Sequence, residues 1–338
     1  MELNIIWFIL IAVLLTGYVI LDGFDLGIGF VSFFAKNDTD KRILLNSIAP
    51  VWDGNEVWLL TGGGALFAAF PDVYATIFSG FYMALMLVLA MLIFRATALE
   101  FRSKSENPTW RKIFDNLFAI SSTIAALLFG VALGNVANGI YLDANKEYVG
   151  TFWNLLNPYS LVVGLTGLAL IIVHGFNYAF YRTENELQKL LKSKYNIFYY
   201  LYFALFVILN LFTIIAKPHL LQNYNSNPVL YLLPLVNLIV ILLMYKYHKS
   251  NFHLKTFFMS SLSILLNMLT FAIAMFPNFA YSLTDPKLNL TIYNSASSQK
   301  TLTVMLIIAL IGMPLVITYT IVVYRIFRGK TVLNENSY

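Results

Sequence analysis

Of 338 residues, 59% are hydrophobic and only 12% charged, about half the charged share of an ordinary soluble domain. So little polar surface cannot clothe a water-soluble core of this size, which points to an integral membrane protein. The net charge of +5 does not argue for nucleic acid, because the basic residues are spread between apolar runs and not gathered into a stripe.

Taking about 20 apolar residues per crossing, the chain is predicted to be all-α, with nine transmembrane helices near 4–34, 52–70, 73–95, 114–141, 152–180, 197–216, 229–246, 256–277 and 302–325. If the first connection is cytoplasmic, every Lys and Arg except Lys146, Lys217, Lys287 and Lys300 falls on that side. The asymmetry predicts an external N-terminus and an internal C-terminus. The first helix has no basic leader or small-residue cleavage site and is expected to be retained. The longest loops, near 96–113, 181–196 and 278–301, contain turn pairs such as Asn107-Pro108 and Asp285-Pro286, and none can form a soluble domain. Residues 1–330 therefore read as one transmembrane domain, and 331–338 as a short, solvated cytoplasmic tail.

Ionisable side chains in a bilayer cost roughly 2.5–3.5 kcal/mol each, so those near the apolar runs need a reason. In LDGFDLGIG (21–29), Asp22 and Asp25 share a helix face. They read either as partners of an Arg or of backbone donors, or as a proton, ion or subunit contact. In PVWDGNEVWLLTGGG (50–64), Asp53 and Glu56 match an N-cap and its reciprocal partner. They equally match a carboxylate pair that admits protons. Trp52 and Trp58 look like interfacial anchors, and Gly62, Gly63 and Gly64 like a close helix contact. In FRATALEFRSK (94–104), Arg95 is expected to end the third helix, as a snorkelling anchor or an ion-pair partner of Asp25, Asp53 or Glu100. In FGVALGNVANG (129–139), Gly130 and Gly134 suit helix packing, with Asn135 and Asn138 bonding across it.

Cysteine is absent, which excludes disulfides, thiolate-held metals and iron–sulfur clusters. Only His174 lies well inside an apolar segment, whereas a bis-liganded haem needs two axial residues. The chain is accordingly expected to bind no redox cofactor itself.

The blocks GYVILDGFDLGIG (17–29), VWDGNEVWLLTGGGALFAAFPDVYATIFSGFYMALML (51–87), FRATALEFRSK and FGVALGNVANG together resemble subunit II of the cytochrome bd-type quinol oxidases. The resemblance implies two four-helix bundles plus one peripheral helix in a bacterial plasma membrane. It also implies a haem-bearing partner, subunit I, holding haems b and d, with quinol as substrate and dioxygen reduced to water. By the same resemblance, Asp53 and Glu100 fall on a proposed cytoplasmic proton path; Glu100 stands where the family often has Asp. Trp52 and Arg95 fall on family motif positions, and Asp22 and Asp25 on a block without an assigned role. A structural quinone, a small single-helix accessory subunit and an oxygen route stay open, as do bound membrane lipids. The rival expectation is an ion or solute transporter using Asp22, Asp25 and Asp53.

Overall fold

In lipid an apolar segment must pair its own amides, and the α-helix is the local solution. The computed structural model describes residues 2–333. Its helices are α1 (Leu3–Val31), α2 (Asp38–Ile48), α3 (Trp52–Ala69), α4 (Pro71–Gly80), α5 (Tyr82–Phe101), α6 (Pro108–Asn138), α7 (Pro158–Arg182), α8 (Asn185–Ala216), α9 (Gln222–Ser226), α10 (Leu232–Lys249), α11 (His253–Met275) and α12 (Gln299–Ile326). Among the described residues, eight helices are long and apolar enough to cross a membrane; α3 and α4, bent by 120°, supply a ninth span if counted as one.

Helices α1, α3, α5 and α6 form one four-helix group and α7, α8, α10 and α11 a second, joined where α1 and α6 pack on α7. Helix α12 leans on α1 and α3, and its apolar segment has no buried share. This is the expected arrangement of two bundles and a peripheral helix. At the end away from α2, a short antiparallel pair, β1 (Asn278–Ala280) and β2 (Leu290–Thr291), closes the loop before α12.

The seam between the bundles depends on missing side chains. A Cβ on Gly27 of α1 would lie 2.4 Å from the Ile171 carbonyl oxygen and 2.7 Å from Gly175 Cα. On α6, a Cβ at Gly134 would lie 2.6 Å from Ser160 Cα. These are backbone-to-backbone contacts, so Gly130 and Gly134 pack as their spacing implied.

Several boundaries differ from expectation. The segment 73–95 is not one helix: Phe70 leaves helical geometry, Pro71 starts α4, and α5 begins only at Tyr82. Proline suits a first helical turn and so restarts the chain in a new direction. Helix α5 continues six residues beyond Arg95, whose charge is neutralised internally. The expected loop 181–196 is mostly helix, because α8 extends beyond its apolar part as a charged stem. Helix α2 was not anticipated; Asn37 caps it by accepting a 2.8 Å bond from the Asp40 amide. The tail begins tied down, with the Thr331 amide donating to the Arg182 carbonyl at 2.9 Å; residues 334–338 of the expected tail lie outside the described residues.

Because neither backbone at the α1–α7 crossing can retreat cheaply, Gly27→Ala should cost about 1–3 kcal/mol. A lower thermal midpoint of the membrane-extracted protein is the expected result.

Candidate functional site

Two turns from the end of α1, Asp22 is wholly buried and grips an equally buried Arg95 from α5. The guanidinium forks onto both carboxylate oxygens: Nη1 donates to Oδ2 at 2.7 Å, and Nη2 donates to Oδ1. Such bidentate pairing is the strongest side-chain bond available to the two groups. Arg95 therefore neither snorkels nor pairs with Asp25, Asp53 or Glu100.

One turn further along, Asp25 is also fully buried. Its Oδ2 accepts a 2.7 Å bond from Asn55 Nδ2, and that same amide donates to the Leu21 carbonyl at 3.2 Å. Tyr324 of α12 donates to Asn55 Oδ1 at 2.9 Å. The set thus links α1, α3, α5 and α12. Asp25 Oδ1, Arg95 Nε and the Tyr18 hydroxyl are buried without a hydrogen-bond partner among the described residues. Buried polar atoms of this kind are ordinarily satisfied by water.

Asp53 and Glu56 do not form the expected capping box. Val51 is the N-cap of α3 and no side chain caps it. Asp53 sits in the first turn, exposed, and Glu56 follows three residues later, half-buried. Glu56 lies within electrostatic reach of Asp53, Asp22 and Arg95, so it bridges the exposed acid and the buried pair. Glu100 is partly buried near the end of α5. Trp52 is not an interfacial anchor, because it is buried in the core formed with Val51, Leu99 and Phe180. Of the triple glycine, only Gly62 is close-packed, with a Cβ there 3.1 Å from Leu15; Gly63 and Gly64 have nothing within 4 Å.

A second ionic set fastens α2. Arg102 Nε donates to Asp115 at 2.6 Å and Nη2 to Asp38 at 2.7 Å, while Lys41 reaches Asp115 at 3.1 Å and Arg111 reaches Asp38 at 2.8 Å. Burial acts to raise the Asp38 carboxyl, but the Arg102 hydrogen bond and the charges of Arg102, Arg111 and Arg42 outweigh it. Asp38 is consequently held below its ordinary value. Sequence reading missed this set because its members lie far apart in the chain.

Asn135 has a structural task. Its Nδ2 donates to the Val131 and Leu155 carbonyls at 2.9 and 2.8 Å, and its Oδ1 accepts from Asn157 at 2.9 Å. His174 is fully buried, with Nδ1 2.7 Å from Ser260 Oγ and Nε2 3.0 Å from the Ile20 carbonyl. With both nitrogens engaged and the ring stacked on Phe257, it does not suit haem ligation. No group of three or more His, Cys, Asp or Glu fit to hold a metal occurs among the described residues. Between the bundles lies an apolar cavity of about 250 Å³, lined by Tyr18, Leu26, Phe129, Leu170, Met268 and Phe271 among others.

Removing one partner of a buried ion pair leaves an uncompensated charge costing about 3–5 kcal/mol. Asp22→Asn should therefore sharply lower the protein's level in membranes, and adding Arg95→Met should restore much of it; immunoblotting of membranes checks both. For Asp38, a lowered folded value means stability present above the ordinary value of 3.8 and lost as pH falls through the lower one. Protection of α2 against hydrogen exchange, taken relative to the intrinsic rate, should carry this contribution in full between pH 8 and 5 and weaken only in stronger acid. Asp38→Asn should weaken it at neutral pH.

Residues 3–327 match the family described as cytochrome bd terminal oxidase subunit II. The chain is similar to the probable cytochrome oxidase subunit 2 of Haemophilus influenzae, 36% identical over 97% of this chain and 95% of that one. It is likewise similar to the cytochrome bd-I ubiquinol oxidase subunit 2 of Escherichia coli, 36% identical over 94% and 92% of the two chains. The cytochrome bd ubiquinol oxidase subunit 2 of Bacillus subtilis is 33% identical over 97% of each. In fold it resembles a chain of the bd oxidase from Geobacillus thermodenitrificans, with a TM-score of 0.77 and 16% identity over 97% of this chain and 99% of that one. These relatives give no support to the transporter alternative, and the acids it invoked do not converge: Asp22 is neutralised by Arg95, Asp25 is held by Asn55, and Asp53 is exposed. By the extent of the family match and the identity of its relatives, the chain belongs to the cytochrome bd terminal oxidase subunit II family.

Proposed function

We propose that this chain is the haem-free second subunit of a bd-type terminal quinol oxidase in a bacterial plasma membrane. In this reading it stabilises a haem-bearing subunit I and feeds protons to the reduction of dioxygen to water. The haems, b and d, belong to subunit I, in keeping with the engagement of His174. The N-terminus faces outward, so the end bearing α2, Asp53 and Glu100 is cytoplasmic.

The observation that carries the proton reading is the graded burial of the acids. Asp53 is exposed, Glu56 half-buried, and Asp22 and Asp25 fully enclosed. Asp53 and Glu56 share a face of α3, and Glu56 lies within reach of the Asp22–Arg95 pair. The ion pair keeps a net charge from accumulating, while the unpartnered Asp25 Oδ1, Arg95 Nε and Tyr18 hydroxyl offer bonding positions for water. Chains of acids and water are the means by which membrane enzymes pass protons. Glu100, one to two turns from Arg95 on α5, is a second inlet acid.

Subunit I docks on the face of α3, α5 and α12. Leu60 is 70% exposed, Met86 64% and Leu315 68%. Gly63, Gly64 and Gly312 leave open space where a neighbouring backbone can approach. The apolar cavity between the bundles offers a low-polarity space suited to dioxygen, which needs no polar contacts.

The test is Asp53→Asn, which removes the outermost acid without touching the buried network. Oxygen consumption by the purified complex should fall by about tenfold, less than the 10²–10⁴ of a group acting at the reacting atoms because Asp53 only relays protons, while the reduced-minus-oxidised haem spectrum stays intact. Unchanged turnover would remove Asp53 from the path. A colourless protein with no haem-bearing partner, purified through a tag on this chain, would overturn the subunit reading itself.

A further inference from the structure

At the end that also bears α2, on the side of the second bundle, two histidines face the ring of Phe180 and four further basic side chains lie around them. His248 and His253 place their rings 5.1 and 5.9 Å from it. Lys330 donates to the Phe180 and Thr183 carbonyls at 3.1 and 2.7 Å. Arg182 holds the Phe327 and Gly329 carbonyls at 2.5 and 2.7 Å. Lys192 donates to Asn251 at 2.8 Å, and Lys192 and Lys249 lie within electrostatic reach of His248. The acid acting on Lys330 is Glu184; Glu186 is engaged by Lys189 at 2.7 Å.

Loop positivity on one side of a membrane accounts for the number of lysines but not for this clustering. Lys249 and His248 sit in the last turn of α10, where cations offset the helix dipole. The same argument works against His253 and Lys255, which stand in the first turn of α11, a 23-residue helix with no acid there and no capping side chain. Cations are disfavoured at that position, and the first amides of the helix point outward unpaired. His248 is 7% exposed, and its Nδ1 is buried without a partner among the described residues, as is Nδ1 of His253. An uncapped helix start, clustered cations and orphaned imidazole nitrogens share one remedy, an anion with several acceptor oxygens.

We propose that this basic cluster between the starts of α8 and α11, the end of α10 and the 327–331 strap binds a phosphate group. A basic pocket between transmembrane helices fits the headgroup of an anionic phospholipid, and a helix start fits phosphate oxygens in general. In the orientation proposed above the cluster faces the cytoplasmic leaflet, where anionic lipids act on membrane proteins.

The experiment uses the protein extracted through a tag on this chain with whatever subunits accompany it. Native mass spectrometry counts phosphatidylglycerol retained against phosphatidylcholine, and radiolabelled inorganic phosphate is titrated in parallel. Lys192→Gln and Lys330→Gln should each weaken binding about fivefold, the value of one basic side chain near an anionic surface, whereas exposed Lys104→Gln should not. Selective loss of phosphatidylglycerol supports a lipid source, and loss of inorganic phosphate alone supports a soluble one. Equal retention of both probes by wild type and variants would overturn the site. Should Lys330→Gln loosen the strap and lower the thermal midpoint, Lys192→Gln decides alone, since its ammonium bonds only an asparagine side chain.

Discussion

A guanidinium cannot sit in the middle of a helical bundle unless its charge is met there. Arg95 and Asp22 meet that condition with two parallel bonds and no exposure. The pair fixes the rotation of α5 against α1, since both side chains must point at the same spot. Neutral as a unit, it also sets a local field in which the other acids operate. Asp25 one turn away and Glu56 on α3 both lie within reach of it. A buried ion pair is weak evidence for stability, because desolvation offsets its attraction. Its persistence in so apolar a setting is better understood through the polar network it allows.

That network divides the molecule by depth. At the end near α2, acids and bases are many and mutually paired, as in the Arg102, Asp38 and Asp115 set. Deeper in, among the described residues, the charged side chains that α1 and α5 bury together are Asp22, Asp25 and Arg95, set among aromatic and aliphatic neighbours. Towards the opposite end, side chains hold loops, neutral ones such as Asn135 on the Leu155 carbonyl and charged ones such as Asp143 on the Asn145 and Glu147 amides. The first bundle therefore has its buried charges, Asp22, Asp25 and Arg95, towards the end that bears α2. The second bundle has no buried acid comparable with Asp22; its polar groups, such as Tyr202, Ser263 and Asn237, bond to one another.

Glycine works in two opposite ways here. Gly27 and Gly175 remove bulk so that α1 and α7 meet backbone to backbone, which joins the bundles. Gly63, Gly64 and Gly312 remove bulk where nothing yet stands. The same residue type marks an internal seam and, in the proposed assembly, an external one. Spacing in the chain does not separate these uses, because each depends on which helix lies opposite.

Much of the fold is legible in the chain itself. The apolar runs gave the spans, because a bilayer demands about 20 apolar residues and leaves no other way to pair the backbone. The scarcity of charge made Asp22, Asp25, Asp53 and Arg95 conspicuous as residues needing partners. Only the tertiary structure decided who those partners are. Arg95 could have reached several acids, and the choice of Asp22 follows from how α1 and α5 are both set against α6, which no local pattern encodes. Asn55 and Tyr324, 269 residues apart, became neighbours because α12 folds back against α3. The bend at Phe70 and the amphipathic α2 were hidden for a related reason: composition reports how apolar a segment is, whereas packing decides where it turns. What the sequence determined by itself was the solvent each segment requires; which side chains face one another was settled by the packing of helices brought together from distant parts of the chain.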